Sequence, residues 1–162
     1  MAKSPQVGVP TNVLGIEPIF TIRAELEAVM NFGRTPYGER RVIGITGGTV
    51  QGRKLNGRIL PGGADWQIIR NDGVIDLDAR YALKEERGGV IRVVSQGYRH
   101  GPPDVLAALG RGETVDPASY FFRSIMRFET GAPELSWLNK TIAVASAERR
   151  ERQVILHAYK LL

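Results

Sequence analysis

Short apolar runs separated by tight-turn signals constrain this chain more than any other feature of its sequence. Residues 20–26 alternate apolar and polar side chains with a period of two, which is typical of a half-buried strand. Similar runs recur at spacings of roughly 8 to 12 residues, and this rhythm predicts antiparallel strands rather than alternating strands and helices. The further predicted strands are residues 40–50, 55–60, 65–70, 74–84, 90–98, 120–128, 141–147 and 153–161.

Other segments are predicted to form a loop, a helix and a tail. Residues 31–38 contain two glycines and a proline, and we interpret them as a loop. Residues 103–109 are the best helix candidate, because a proline opens the segment and a glycine follows it. Residues 1–10 lack the apolar core of a signal peptide and are predicted to be a flexible tail. Residues 11–162 are then expected to form one domain.

The fold class that follows is all-β. A chain with many hairpins must protect its sheet edges, and closure into an antiparallel barrel removes those edges. About eight to ten strands would enclose a cavity large enough for a small ligand. A two-sheet sandwich is the alternative.

The amino-acid composition excludes several kinds of functional site. The chain has no cysteine, which excludes disulfides, thiolate zinc sites and cysteine nucleophiles. It has two histidines, His100 and His157, and they form no closely spaced metal-binding pair. We therefore expect neither a metal nor another cofactor. No apolar run approaches the roughly 20 residues of a membrane-spanning helix, so no membrane partner and a cytoplasmic location are expected.

The net charge of +5 does not by itself indicate nucleic-acid binding. The 22 basic residues are distributed among 17 acidic ones, and the densest cluster, Arg149, Arg150 and Arg152, is interrupted by glutamates. No recognised nucleic-acid-binding motif accompanies them. We predict a mildly basic surface without a nucleic-acid partner, and a field that favours small anionic ligands.

The predicted strand 74–84 leaves two interpretations open. One face is apolar and includes Leu77 and Tyr81, whereas the other carries Asp76, Asp78 and Arg80. The charged face could be the solvated outer wall of the barrel. It could equally line the lumen, with the apolar face packed against a helix or another subunit.

Two further sites combine charge with apolar neighbours. Asp65 stands beside Trp66 just after a Pro-Gly-Gly turn, where its pKa could be raised for acid/base work, or where it could simply cap the turn. Arg123 and Glu129 lie among bulky residues of the run that begins at residue 120. An arginine there could anchor an anionic ligand or form a structural ion pair.

Two polar motifs need separate interpretation. Trp137 and Asn139 would face the same side of an extended segment, where Asn139 could orient a carbonyl group or simply begin the next strand. Residues 47–52, GGTVQG, lack the Gly-Lys-Ser/Thr ending of a phosphate-binding loop, so we interpret them as a bulge that allows close packing.

Several of these motifs, in this order, resemble domain-of-unknown-function family 3237, also called uncharacterised protein family 0311. The resemblance runs from about residue 20 to residue 161 and is carried by residues 33–40, 47–52, 60–66, 78–81, 122–123, 127–130 and 137–139. It implies a barrel of lipocalin-like appearance with an internal cavity, often found as an oligomer. We therefore expect a homo-oligomer, a dimer or higher, that binds a small molecule.

Three functional hypotheses follow. The first is a cofactor-free lyase, isomerase, hydratase or cyclase that acts on an aromatic or polyketide-like carbonyl compound. In it, Asp65 or Glu129 moves a proton, and Arg80 and Arg123 stabilise the developing negative charge. The proposed substrate-binding residues are Trp66, Asp78, Tyr120, Phe128, Trp137 and Asn139. The second is a carrier or sensor of a small hydrophobic anion, and the third is an oligomeric structural protein whose barrel is filled by side chains.

Overall fold

A single closed sheet dominates the structure, a computed structural model that describes residues 13–162. Every pair of neighbouring strands is antiparallel, and the sheet closes because the first strand pairs with both the second and the last. The strands are β1 (Ile16–Thr35), β2 (Gly38–Gly52), β3 (Asn56–Ile59), β4 (Gly63–Ile69), β5 (Ile75–Glu85), β6 (Val90–His100), β7 (Phe121–Thr130), β8 (Ile142–Arg149) and β9 (Gln153–Leu161). The predicted barrel is confirmed, and the sandwich alternative is wrong. The predicted tail, residues 1–10, lies outside the described residues.

Three short helical segments join the strands. Helix α1 (Pro103–Gly110) follows β6, as predicted, and ends where Gly110 and Gly112 interrupt the helical pattern. Two 3₁₀ segments cover Pro117–Ser119 and Pro133–Lys140. Within the described part of the chain, no helix has the length and apolar character needed to cross a membrane.

The alternation in β5 decides which wall faces the core. Its side chains at Ile75, Leu77, Tyr81 and Leu83 are buried, and each is at most 7% exposed. The charged face therefore lies on the outer wall, which is the solvated arrangement of the two that the sequence allowed. Apolar residues point inward because their burial in the barrel is the main source of its stability.

The first hairpin is longer than predicted. We expected a loop over residues 31–38, but β1 continues to Thr35 and β2 begins at Gly38. Gly33 adopts a φ of 78° and donates its backbone N–H to the Asn31 side chain at 2.7 Å. These two residues flank a bulge at Phe32, because Asn31 pairs with Arg41 and Gly33 pairs with the next residue, Arg40. Glycine and asparagine shift the register here rather than ending the strand.

The glycine-rich segment 47–52 packs closely against β1, as the sequence indicated. Gly48 has a φ of 130°, and a Cβ atom there would collide with the backbone oxygen of Arg23. Only glycine suits such a position.

The two ends of the barrel differ. At the end where β7 finishes, which we call the lower end, Leu135 and Leu138 from the second 3₁₀ segment are 1% and 0% exposed and fill the opening. At the opposite, upper end, β6 and β8 finish and α1 follows β6. At this upper end a larger space, lined by α1 and the strand ends, adjoins the interior.

Candidate active site in the barrel lumen

A small cavity of about 50 Å³ lies inside the barrel. Its walls are largely apolar and include Ile43, Leu77 and Phe122, while its polar lining comes from a few converging side chains. The polar residues are Asp65, Gln67, Tyr81, Ser95, Arg99, Ser124 and Arg149. Because this space remains, the barrel is not packed solid, contrary to what the third hypothesis required.

Three arginines gather at the upper end of the lumen. Arg99 ends the inward-facing series of β6, and Arg149 ends that of β8. Arg41 precedes the inward-facing Ile43 and Ile45 near the start of β2, which runs in the opposite direction. Each strand therefore brings one guanidinium to the same end of its inward-facing series.

Asp65 is held by a chain of hydrogen bonds. Arg41 Nε donates to Gln67 Oε1 at 2.7 Å, and Gln67 Nε2 donates to Asp65 Oδ2 at 2.5 Å. The backbone N–H of Asp78 donates to Asp65 Oδ1 at 3.1 Å. Gln67 is only 2% exposed, so the carboxylate orientation is fixed by a buried partner. Such a fixed orientation is what a proton-transferring group requires.

Burial shapes the protonation of the site. Desolvation raises the pKa of Asp65, although the Gln67 hydrogen bond and the nearby Arg99 oppose the rise. Desolvation also raises the pKa of Tyr81, and the charge of Asp65 raises it further. The phenol of Tyr81 therefore stays neutral and can donate a hydrogen bond. Asp65 is placed to exchange a proton closer to neutral pH than an ordinary aspartate.

Burial lowers the pKa of the arginines, whereas it raises the pKa of Asp65 and of Tyr81. Desolvation lowers the pKa of Arg99 to about 10, and the positive charges of Arg41 and Arg149 contribute to this. Desolvation is also the main cause of the lowered pKa of Arg149. All three remain charged at neutral pH, at a cost in stability. Across residues 13–162, no three histidine, aspartate or glutamate side chains converge as a metal ion would need.

Three of the four predicted catalytic residues do not join Asp65. The side chains of Arg80 and Glu129 are 57% and 75% exposed, and Arg123 also points to the outer wall. Arg80 pairs with Asp78 at 3.1 Å, and Glu129 lies 3.4 Å from Arg92. The prediction that these charges meet in one enclosed space is therefore wrong for all but Asp65. The strand period places them outside, since they alternate with buried residues.

The predicted binding residues lie in several places, although Trp66 and Asp78 line one groove of about 970 Å³ on the outer wall together with Arg123. Trp66 is 45% exposed on the outer wall, where it packs against Phe32, and Asp78 faces outward beside it. Tyr120 is buried, but its hydroxyl accepts a hydrogen bond from the backbone N–H of Arg149 at 2.9 Å. Phe128 belongs to the core, where it meets Phe20 edge to face. Of these four residues, none lines the cavity that contains Asp65.

Trp137 and Asn139 lie in a 3₁₀ segment rather than in an extended one. The sequence Pro133-Glu134 opens that segment, because proline suits the first turn of a helix and cannot serve as a strand donor. The Trp137 ring lies 5.8 Å from Lys54 Nζ. The Asn139 side chain accepts from the Thr130 N–H at 2.8 Å and donates to the Thr130 carbonyl at 2.9 Å. Asn139 thus fastens the segment to the end of β7, far from the arginines.

We expect Asn139→Ala to affect stability and not ligand binding. The substitution leaves both backbone groups of Thr130 without their partner, which costs about 2 kcal/mol of the free energy of unfolding. Urea denaturation measures this change, and calorimetric titration with a small aromatic carboxylate gives the comparison of ligand binding. Unaltered stability together with lost activity would contradict the structural role.

Sequence reasoning missed Arg41, Arg99 and Arg149. A signal was present, because each of these arginines continues an inward-facing apolar series by one more step of two residues. A charged side chain at such a position is buried near a strand end. Because an unpaired buried charge is costly, it indicates an ion pair or a ligand. Gln67 carried the same kind of signal, two residues after Asp65 on the same side of β4.

Comparison with known sequences assigns the chain to a family. The family described as "Protein of unknown function (DUF3237)" matches residues 14–161. The chain belongs to this family. A DUF3237 relative, described as a UPF0311 protein of Rhodopseudomonas palustris, is 41% identical over 152 residues, which cover 94% of this chain and 99% of the relative. The family resemblance seen in the sequence motifs is thereby confirmed.

Several solved structures share the barrel. The crystal structure of a conserved protein of unknown function from Rhodopseudomonas palustris has a TM-score of 0.89 at 41% identity, covering 94% of this chain and 100% of that chain. A beta-barrel like protein from Acinetobacter baumannii has a TM-score of 0.81 at 43% identity, covering 97% and 100%. An enzyme from Penicillium herquei has a TM-score of 0.73 at 17% identity, covering 96% and 100%, and this likeness shows the fold alone.

Proposed function

We propose that the barrel lumen is the active site of a cofactor-free enzyme that moves a proton on an enolisable carbonyl compound. One observation carries the proposal. Among the described residues that line the cavity, Asp65 is the sole carboxylate, and it faces buried hydrogen-bond donors within apolar walls. This combination of one base and fixed donors is what enolisation requires.

The chemistry divides between a base and an oxyanion site. The Asp65 carboxylate takes a proton from the carbon next to the carbonyl group. The electron pair of that C–H bond forms a carbon–carbon double bond, and the π pair of the carbonyl group moves onto its oxygen. The Tyr81 hydroxyl and the Arg99 guanidinium donate hydrogen bonds to the enolate oxygen. If the proton on Asp65 is first replaced by one from solvent, its return to the same carbon completes an exchange. Its return to another carbon completes an isomerisation, and either return regenerates the base.

The walls favour an aromatic or polyketide-like substrate. Phe122 and Leu77 line the cavity, and Ser95 and Ser124 add a single hydrogen-bonded pair at 2.9 Å. The lumen has room for a carbonyl group and the carbons beside it, so the rings of an aryl or polycyclic ketone would lie toward the upper end of the barrel, outside this cavity.

Deuterium exchange into β-tetralone tests the proposal directly. We expect the protein in D₂O to accelerate exchange at the carbons beside the carbonyl group above the buffer rate, as followed by proton NMR. The rate should fall at acidic pH as Asp65 becomes protonated. Since burial raises the pKa of Asp65, this fall should begin above the usual aspartate range. Exchange equal to the buffer rate at every pH would refute the proposal.

A carrier of a hydrophobic anion is the second candidate. The excess of guanidinium groups over carboxylates around the lumen favours it, because a binding protein needs the cations and not the base. Binding of an anionic ligand without any acceleration of exchange would distinguish the carrier from the enzyme.

A further inference from the structure

Buried donors at the upper end of the lumen lack acceptors within the protein. Arg149 Nη1 and Arg99 Nε are buried and have no hydrogen-bond partner among the described residues, and Arg99 is only 6% exposed. The Tyr81 hydroxyl, further down the lumen, is also buried without a partner among those residues. Unpaired buried donors are costly, so the two arginine donors at this end indicate a site that receives oxygen atoms from a ligand.

The charges around these donors do not balance. Arg41, Arg99 and Arg149 contribute three positive charges, and each of them is close enough to Asp65 to feel its charge. Glu39 is the one further acid whose charge reaches Arg41. A net positive charge remains even when both acids are ionised. In a desolvated site this excess attracts an anion strongly.

Nearby acids are engaged elsewhere and do not neutralise this excess. Asp72 lines the mouth of the barrel but binds Arg70 at 2.5 Å. Glu148 binds Arg150 at 2.7 Å, on the other side of β8 from the inward-facing Arg149. The imbalance is therefore a property of the lumen and its mouth.

A larger chamber adjoins the lumen at this end. It has a volume of about 580 Å³, lies between α1 and the strand ends, and shares Ile43, Arg99 and Arg149 with the lumen. Arg41 lines the chamber as well. Its apolar lining includes Val29, Ile43, Ile69, Ile75, Leu106 and Leu109. A chamber of this size and lining suits the ring system of a drug-sized molecule.

We propose that the ligand carries a permanent acid group, a carboxylate bound by Arg149 and Arg41 at the junction of the two spaces, with its apolar rings in the chamber beneath α1. The carbonyl group that reacts would then extend into the lumen toward Asp65, and this part of the inference rests on the proposed function. The planar guanidinium fork of arginine matches the two oxygens of a carboxylate. The substrate class is thus an amphipathic aryl or polycyclic keto acid.

A matched pair of probes tests the acid group. β-Naphthoate and its uncharged amide, β-naphthamide, differ almost only in charge, and isothermal titration calorimetry gives their dissociation constants. We expect the wild type to bind the naphthoate at least about tenfold more tightly than the amide, which corresponds to about 1.4 kcal/mol. Arg149→Met should reduce this preference to about threefold or less.

Arg123→Met is the control, because it removes an arginine from the outer wall and should leave the preference unchanged. Thermal unfolding verifies that both variants fold, and Arg149→Gln replaces Arg149→Met if the latter does not. Equal binding of the two probes, no detectable naphthoate binding at millimolar concentration, or an equal loss in Arg123→Met would each overturn the inference. If the preference fails while β-tetralone exchange persists, the substrate is neutral and the proposed function survives. A retained preference without exchange supports the site and rejects the catalytic role.

Discussion

Replacing Asp65 with asparagine should lower the rate of β-tetralone exchange by about a hundredfold or more. Asparagine keeps the shape of the side chain and can still accept the hydrogen bond from the Asp78 backbone. It cannot take up a proton at neutral pH, and general base catalysis typically contributes a factor of about a hundred to ten thousand. Proton NMR in D₂O measures the rate for both proteins under identical conditions.

Glu129→Gln is the matched control for this experiment. It makes the same change from carboxylate to amide on an exposed residue of the outer wall, where the side chain is 75% exposed. We expect its exchange rate to stay within about twofold of the wild-type rate. If Asp65→Asn retains full activity, or if Glu129→Gln loses as much, Asp65 is not the base.

Arg99→Met should raise the free energy of unfolding and lower the rate of β-tetralone exchange. Burial lowers the pKa of Arg99 from its usual range to about 10. This shift corresponds to about 3 kcal/mol by which the folded protein disfavours the charged side chain at neutral pH. The folded-state pKa lies below the unfolded value, so stability is gained only as pH rises through this range, and the full penalty is present at pH 7. Methionine fills a similar volume without charge, and we expect the free energy of unfolding to rise by up to about 3 kcal/mol.

Urea unfolding at pH 7 measures the gain, and Arg99→Lys provides the comparison. Lysine keeps a positive charge in the same buried position and should not stabilise the protein. The exchange rate should fall in Arg99→Met, because the enolate oxygen loses one of its two donors. If Arg99→Met is less stable than the wild type, contacts within the protein offset the cost of burying the guanidinium. The guanidinium would then not be held there for a ligand.

The fold was predictable because strand periodicity and turn chemistry are local properties. The Asn71-Asp72-Gly73 turn and the alternation in residues 74–84 required no knowledge of distant contacts. The first hairpin was misjudged at Gly33, since a glycine that ends one strand in one protein forms a bulge in another. The second 3₁₀ segment was missed because a proline and a few polar residues also suit a loop that leads into a strand.

The site was harder to predict, because it depends on which face of each strand points inward. Asp65 was identified from its neighbours, but Arg80 and Arg123 were assigned to the wrong wall. A charged residue among bulky apolar ones looks buried in sequence, although alternation places it opposite those neighbours. The convergence of Arg41, Arg99 and Arg149 depends on the pairing of strands far apart in the chain, which the sequence alone does not reveal.

The closed lower end also governs how molecules pass through the protein. Leu135 and Leu138 fill that end, so any compound that reaches Asp65 must leave by the route along which it arrived. Incoming and outgoing molecules therefore use one passage and cannot occupy it together. Under the proposed function, substrate and product would both pass the arginines, and both would keep the acid group that the arginines bind.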